Sequence, residues 1–495
     1  MPSAILNSPT AGPRQRVEGW GGEPCSRARL VAGLIVLLMC AVVFFREVDS
    51  APFVGDESSW MTVSYRHADA LLRGDLHPRQ WEFPDCGPYG NLNPQLGKLM
   101  MGVPLLLYTR HVLGEEPFDQ HYAWEASLIE NEISGNIPPR SQLRAARVLH
   151  AVYGLLAFAA CYLFLWYCCG LLPAVCAGTL LVLNERFVLT MSRAMMDAPF
   201  HLFTVLGLLC IAGYLQAGSS RRAWAAAGLT GICAGLAASV KVTGILLIGL
   251  FLLPFLILKH PFRGAWKPVL GHGIAYAVAA LFVVYLLNPF FWPEFRPEER
   301  SQSLAAELRQ AWQSRPVLTF PDEPDMTLGA NLTDYTFERD RVREVYPRLY
   351  GLLRPAEFPL LFARWNSWLE EQQTLFPIPP PTAAGFHRRL FLEFAAMPGN
   401  VVFALAGLFV CIQRSLLARQ RGLPGLFAVP LVFALVSYAF WLATMRLELD
   451  RYYVAPLIGV QMLAGIGLAV VLQQVADWSA GLSRRTGPRP PEPPA

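Results

Sequence analysis

The sequence predicts an all-α polytopic membrane protein, and three observations carry that prediction: its composition, the length of its apolar runs and the sidedness of its charge. Hydrophobic residues make up 54% of the 495 residues and charged residues only 16%, well under the roughly 25% charged content of soluble domains. The apolar residues are gathered into runs of a length that, coiled as a helix, crosses a hydrocarbon core roughly 30 Å thick. Ten spans follow, at about 29–45, 148–168, 171–190, 197–217, 224–240, 243–258, 269–290, 391–413, 425–443 and 452–472.

The charges support this count independently. With the N-terminus inside, the cytoplasmic pieces hold fifteen Arg and Lys against four Asp and Glu, while the two long opposite-side loops, 46–147 and 291–390, hold twenty-one basic against twenty-eight acidic residues. Basic residues thus concentrate on one side, as they do on cytoplasmic faces. The first span follows an N-tail, 1–28, that carries Arg14, Arg16 and Arg27. Without a small-residue cleavage site it reads as a retained anchor.

Two elements depart from a plain span. Leu99–Tyr108 is apolar but holds only ten residues, with Pro104 in its middle. At about 15 Å it cannot cross, and it reads as a helix lying at the membrane surface. The third span stops at Asn184-Glu185-Arg186 and resumes only briefly before Ser192-Arg193. A short or broken helix is expected there, in surroundings of protein or a watery cavity.

Of the loops, 46–147 opens with a helix after Asp56, where Trp60, Val63, His67, Ala70 and Leu71 recur at helical spacing until Gly74-Asp75. Loop 291–390, rich in Trp, charge and Pro, reads as a small extracytoplasmic cap, and the Pro-rich tail, 473–495, as disordered and cytoplasmic. Most of the ten Cys fall inside apolar runs and only Cys86 lies outside, so no disulfide framework is implied. Walker, GxGxxG and zinc-type spacings are absent from the sequence.

Ionisable residues at span ends demand a reason, because the membrane penalises them. Asp56-Glu57, Arg193 with Asp197, Lys241, and Arg446 to Arg451 all fall on the outer side in this topology. Each has a bland reading beside the chemical one. Asp56 can cap the following helix, Arg193 and Asp197 stand four apart as an ordinary ion pair, Lys241 can snorkel, and Arg451-Tyr452-Tyr453 suits an interfacial anchor. Taken together on one face, carboxylates beside several cations suit a site that holds an anionic headgroup while a carboxylate takes a proton.

The order of these features resembles the GT-C superfamily of membrane glycosyltransferases, in particular its protein O-mannosyltransferase and lipid A aminoarabinose transferase branch. The residues carrying the resemblance are Asp56-Glu57, Gly74-Asp75, the string Asn93 to Lys98, Ala145-Ala146-Arg147, Ser192-Arg193 to Asp197, Lys241-Val242-Thr243-Gly244 and Arg451 to Tyr453. Two positions depart from the family pattern: Asn93 stands for its basic residue and Gln95 for its second Pro.

The resemblance implies a GT-C-like bundle of about ten helices with a membrane core at 29–290, a catalytic first outer loop and C-terminal helices at 391–472. It implies inverting transfer of a sugar from a polyprenyl-phosphate donor, dolichyl or undecaprenyl, to an acceptor hydroxyl at the outer face, with mannose to protein Ser/Thr one form of the reaction. Protein, lipid and glycan acceptors all remain open. In this reading Asp56 is the base and Glu57 orients the acceptor, or orders the loop through Arg193. Lys98, Arg193, Lys241 and Arg451 hold the lipid phosphate, with Asn93, Asp197 and Arg446 in support. No cofactor is required; a divalent cation can sit beside the carboxylates, but no ligand set demands one. The membrane is the plasma membrane, or the endoplasmic reticulum in a eukaryote. The rival class is a lipid or anion transporter, which would show repeat-related halves and mid-membrane charge.

Overall fold

The computed structural model describes residues 27–75, 94–123, 126–241, 244, 252, 256, 259, 266–287, 400–420, 425–444 and 454–486. Among them every regular element is a helix. Seven helices are long and apolar enough to cross a membrane, and one bent pair raises this to eight.

Helix α1 (Arg27–Ser50) is followed by α2 (Gly55–Leu72), which Gly74 ends at φ +76°. On α1, Val36, Cys40, Phe44 and Val48 turn inward at a spacing of four, while Leu34, Leu38 and Val42 remain exposed. One face meets protein and the other is left for lipid. Helix α3 (Gln95–Tyr108) starts four residues before the expected Leu99 and ends in a π-turn, Thr109–Leu113. Pro104 has no N–H for the Met100 carbonyl one turn back, and the Tyr153 hydroxyl donates to that carbonyl instead at 2.9 Å. Helix α3 packs along α2 with Met101, Leu105 and Leu106 buried, and leaves Leu107, Tyr108 and Val112 exposed.

The short α4 (Leu128–Ile133) leads into α5 (Arg140–Cys169), which stops at Gly170, φ +99°. The expected broken span is α6 (Leu171–Val182) and α7 (Glu185–Ser192), bent by 76°. Asn184 makes the break, its side chain accepting from the Phe187 amide at 2.9 Å as an N-cap. Then come α8 (Asp197–Gln216), α9 (Ser220–Val240), α10 (Trp266–Leu287), α11 (Asn400–Gln420), α12 (Ala428–Thr444) and α13 (Val454–Thr486). Among the spanning helices α8 and α13 are the most enclosed, and α10 and α11 bury least. Helix α13 continues through the start of the segment read as a disordered tail, to Thr486. The expected span at 243–258 and the cap at 291–390 lie outside the described residues, apart from single positions in the former.

Candidate functional site

Glu57 stands at the third position of α2, from which a carboxylate can reach back to the open amide at the helix start. It does so, its Oε2 accepting from the Val54 amide at 3.2 Å. The expectation that Asp56 supplies this cap is therefore corrected: the longer Glu side chain, one residue on, makes it. Adjacent helical residues point about 100° apart, so with Glu57 turned inward Asp56 faces elsewhere. Both are buried, Glu57 at 0% exposure and Asp56 at 7%.

The rest of the Glu57 carboxylate is taken by Arg147 of α5, through Nε at 2.9 Å and Nη2 at 2.7 Å, and by the Ala194 amide at 3.0 Å. Arg147 in turn donates from Nη1 to the carbonyls of Val48 at 3.2 Å and Ala51 at 2.8 Å. These are the open carbonyls at the end of α1, where a cation is favoured. A single ion pair thus closes the end of α1, opens α2 and pins the turn between α7 and α8. Arg147 and the Ala194 backbone order this loop, the latter beside the Arg193 to which the sequence pointed. Arg193 itself is the half-buried C-cap of α7.

A second pair lies at the same end of the bundle. Asp197 opens α8 and accepts from Lys241 Nζ, at the C-cap of α9, at 2.6 Å. Lys241 also stands 5.9 Å from the Phe200 ring centroid. The sequence offered Arg193 as an i,i+4 partner for Asp197; an ion pair reaches it from Lys241, on a helix end 44 residues on. His201, one turn along α8, and His150, one turn beyond Arg147 on α5, are both buried.

Lys98 joins this region through α3. A Cβ on Gly97 would lie 2.5 Å from Met196 Sδ and 3.1 Å from Val240 Cγ1, so the backbone before Lys98 presses on the residues just before Asp197 and Lys241. A larger residue there would have to displace the Met196 side chain. Lys98 is fully buried, its Nζ 3.4 Å from Gln95 Oε1. His67 of α2 is buried too, its Nδ1 2.7 Å from the Val63 carbonyl. Burial first, and then the charge of Lys98, hold His67 well below the usual imidazole range.

Residues between α3 and α5 form a strap over α2. Ser58 Oγ donates to the Asn136 carbonyl at 2.8 Å, Thr62 Oγ1 to that of Gln120 at 2.5 Å, and Arg66 pairs with Asp119 at 2.6 Å. Gln142 Nε2 ties the strap to α5 through the Glu116 carbonyl at 2.9 Å.

The structure therefore gathers Asp56, Glu57, Lys98, Arg193, Asp197 and Lys241 at one end of the helices. Asn93, Arg446 and Arg451 lie outside the described residues. Arg147 and His150 are the residues for which the sequence suggested no role. The available signal was an arginine and a histidine one turn apart at the start of an apolar helix, a costly placement without partners. Among the described residues, no group of three or more His, Cys, Asp or Glu side chains is placed to hold a metal ion.

The family model of dolichyl-phosphate-mannose-protein mannosyltransferases matches residues 122–295, which bears out the resemblance read from the sequence. That segment contains Arg147, Arg193, Asp197 and Lys241, while Asp56, Glu57 and Lys98 precede it. Among solved structures, ArnT from Cupriavidus metallidurans bound to undecaprenyl phosphate is similar at 14% identity and TM-score 0.43, over 92% of this chain and 65% of that one. The Archaeoglobus fulgidus oligosaccharyltransferase in its apo form gives 14% identity and TM-score 0.46, over 92% of this chain and 52% of that one. The same oligosaccharyltransferase tethered to an acceptor peptide containing the NVT sequon gives 14% identity and TM-score 0.45, over 90% and 50%. The chain thus spans between half and just under two thirds of these proteins' lengths. No curated protein matches the chain.

Proposed function

We propose that the protein is a polyprenyl-phosphate-dependent glycosyltransferase of the GT-C type, transferring a sugar with inversion to an acceptor hydroxyl at the extracytoplasmic face. The observation that carries this reading is the division of labour in the acidic pair. Glu57 is committed on both oxygens to Arg147, Val54 and Ala194. Asp56 stands on the same turn, next to a helix end held rigid by that pair. A base on a locked scaffold is what in-line attack by a hydroxyl requires.

In this reading Asp56 takes the acceptor's proton as its oxygen bonds to the anomeric carbon, and the bond from that carbon to the phosphate oxygen breaks. The polyprenyl phosphate leaves as an anion, stabilised by cations rather than by an acid. Lys241 is the best placed of them, since it is partly open and holds Asp197 by one bond. Lys98, Arg193 and Arg451 complete the cationic set. The termini are cytoplasmic. The family match favours mannose and a protein Ser/Thr acceptor.

Membranes carrying Asp56→Asn are expected to lose transfer by a factor of about 10² to 10⁴ while retaining donor binding. Undiminished transfer in that variant removes Asp56 as the base, while wild-type membranes that transfer no sugar from a polyprenyl-phosphate donor overturn the reaction assignment.

A further inference from the structure

We propose that Phe53 and Tyr122 form an aromatic wall that stacks on the transferred sugar of the lipid donor, beside Asp56. This inference rests on the glycosyl-transfer reading and deepens it. The Tyr122 ring lies directly on Gly55, the residue preceding Asp56: a Cβ at position 55 would fall 2.5 to 2.9 Å from three of its ring carbons. The Phe53 ring stands 6.0 Å away, tilted by 50°, so the two faces make a shallow trough. Both residues are half-buried, in contrast to the buried Gly55 and Asp56 next to them.

The ring is also held from both sides. Upstream, the Gln120 carbonyl accepts from Thr62 of α2 at 2.5 Å. Downstream, Ala123 is clamped by Asn131, its amide donating to Oδ1 at 2.8 Å and its carbonyl accepting from Nδ2 at 2.9 Å. Asn131 is itself buried and fixed by further bonds to the Ser127 and Ala126 carbonyls. So much hydrogen bonding around one partly open tyrosine presets a ring face rather than a loop tip.

A pyranose offers a face of C–H bonds to such a ring, attracted by the negative face of the π-system. Gly55 precedes Asp56, so the ring stands beside the residue proposed as the base. If Asp56 accepts the proton of the attacking hydroxyl, that oxygen lies about 2.6–3.2 Å from the carboxylate and about 3–3.5 Å from the anomeric carbon. Consecutive Cα atoms are about 3.8 Å apart, which puts whatever covers Gly55 within a sugar's width of that carbon.

The test measures binding of polyprenyl-phosphate mannose and of bare polyprenyl phosphate to the purified full-length protein. Tyr122→Leu keeps most of the volume and removes the ring face. Gly55→Ala pushes the ring aside, and alanine does not weaken a helix. Both are expected to weaken the mannosylated lipid by about three- to tenfold, the worth of one aromatic contact, and to leave the bare lipid unchanged. Tyr122→Phe restores the difference. Equal losses for both lipids, or no loss for the mannosylated one, overturn the wall. Wild-type protein that binds the two lipids equally overturns the stacking alone, while wild-type protein that prefers the mannosylated lipid yet transfers no sugar from it strikes the reaction assignment alone.

Discussion

Glu57 meets Arg147 through two bonds, with the arginine 5% and the glutamate 0% exposed, whereas Asp197 meets Lys241 through a single 2.6 Å bond, with the lysine 17% exposed. Both are carboxylate–cation pairs at the same end of the bundle. The first saturates its groups: the planar arginine fork also serves the carbonyls of Val48 and Ala51, and the carboxylate also serves two amides. The second joins a point charge to one carboxylate oxygen, which leaves a lysine able to exchange partners. A buried pair with every site filled is structural, and one with partial exposure beside a proposed phosphate site is available to ligand.

The largest expected effect breaks the first pair. Arg147→Met leaves the Glu57 charge buried and uncompensated and uncaps α1, which should cost about 3–5 kcal/mol. Thermal unfolding of the purified variant would show it as a large loss of Tm with poor expression, and a Tm within a degree or two of wild type would show the pair to be dispensable.

The second pair separates in a sharper way. Lys241→Met should weaken donor binding by about 10- to 100-fold, the loss of one charge-assisted bond. Asp197→Asn relieves the lysine of its competitor and should hold or raise donor affinity. Titration with polyprenyl-phosphate sugar measures both, and parallel losses in the two variants would make this pair structural like the first.

The smallest effect concerns pH. His67 is held neutral in the fold by burial and by Lys98, so its folded pKa lies below its unfolded value of about 6.5. Its contribution is complete above that pH and is lost as pH falls below it, because the unfolded chain then takes up a proton that the folded chain refuses. Unfolding followed from pH 7.5 to 5 should show stability declining by at most about 1.4 kcal/mol per pH unit from this group. His67→Gln should flatten that slope; an unaltered slope would assign the acid sensitivity to other groups.

Much of the fold was legible in the chain because it depends on local pattern. The span that α1 forms, the extent of α2 up to Gly74 and the break at Asn184 each follow from the run or spacing of apolar residues or from one capping side chain. Helix α3 was foreseen as a short surface element, though begun late, because Gln95 and Lys98 look polar in sequence and are buried in the fold.

The candidate site was legible only as a list of charges on one face. Asp56-Glu57, Lys98, Arg193, Asp197 and Lys241 could be named, since ionisable residues at span ends stand out against an apolar background. Their partners could not. Glu57 and Arg147 are 90 residues apart and Asp197 and Lys241 are 44 apart, and no local rule links positions at such separations. By itself the sequence determined that this is a helical membrane protein with its acidic pair at the start of the helix that follows the first span. Only the tertiary structure decided which carboxylate of the pair is locked away, because that depends on a guanidinium brought from another helix to meet one residue and not its neighbour.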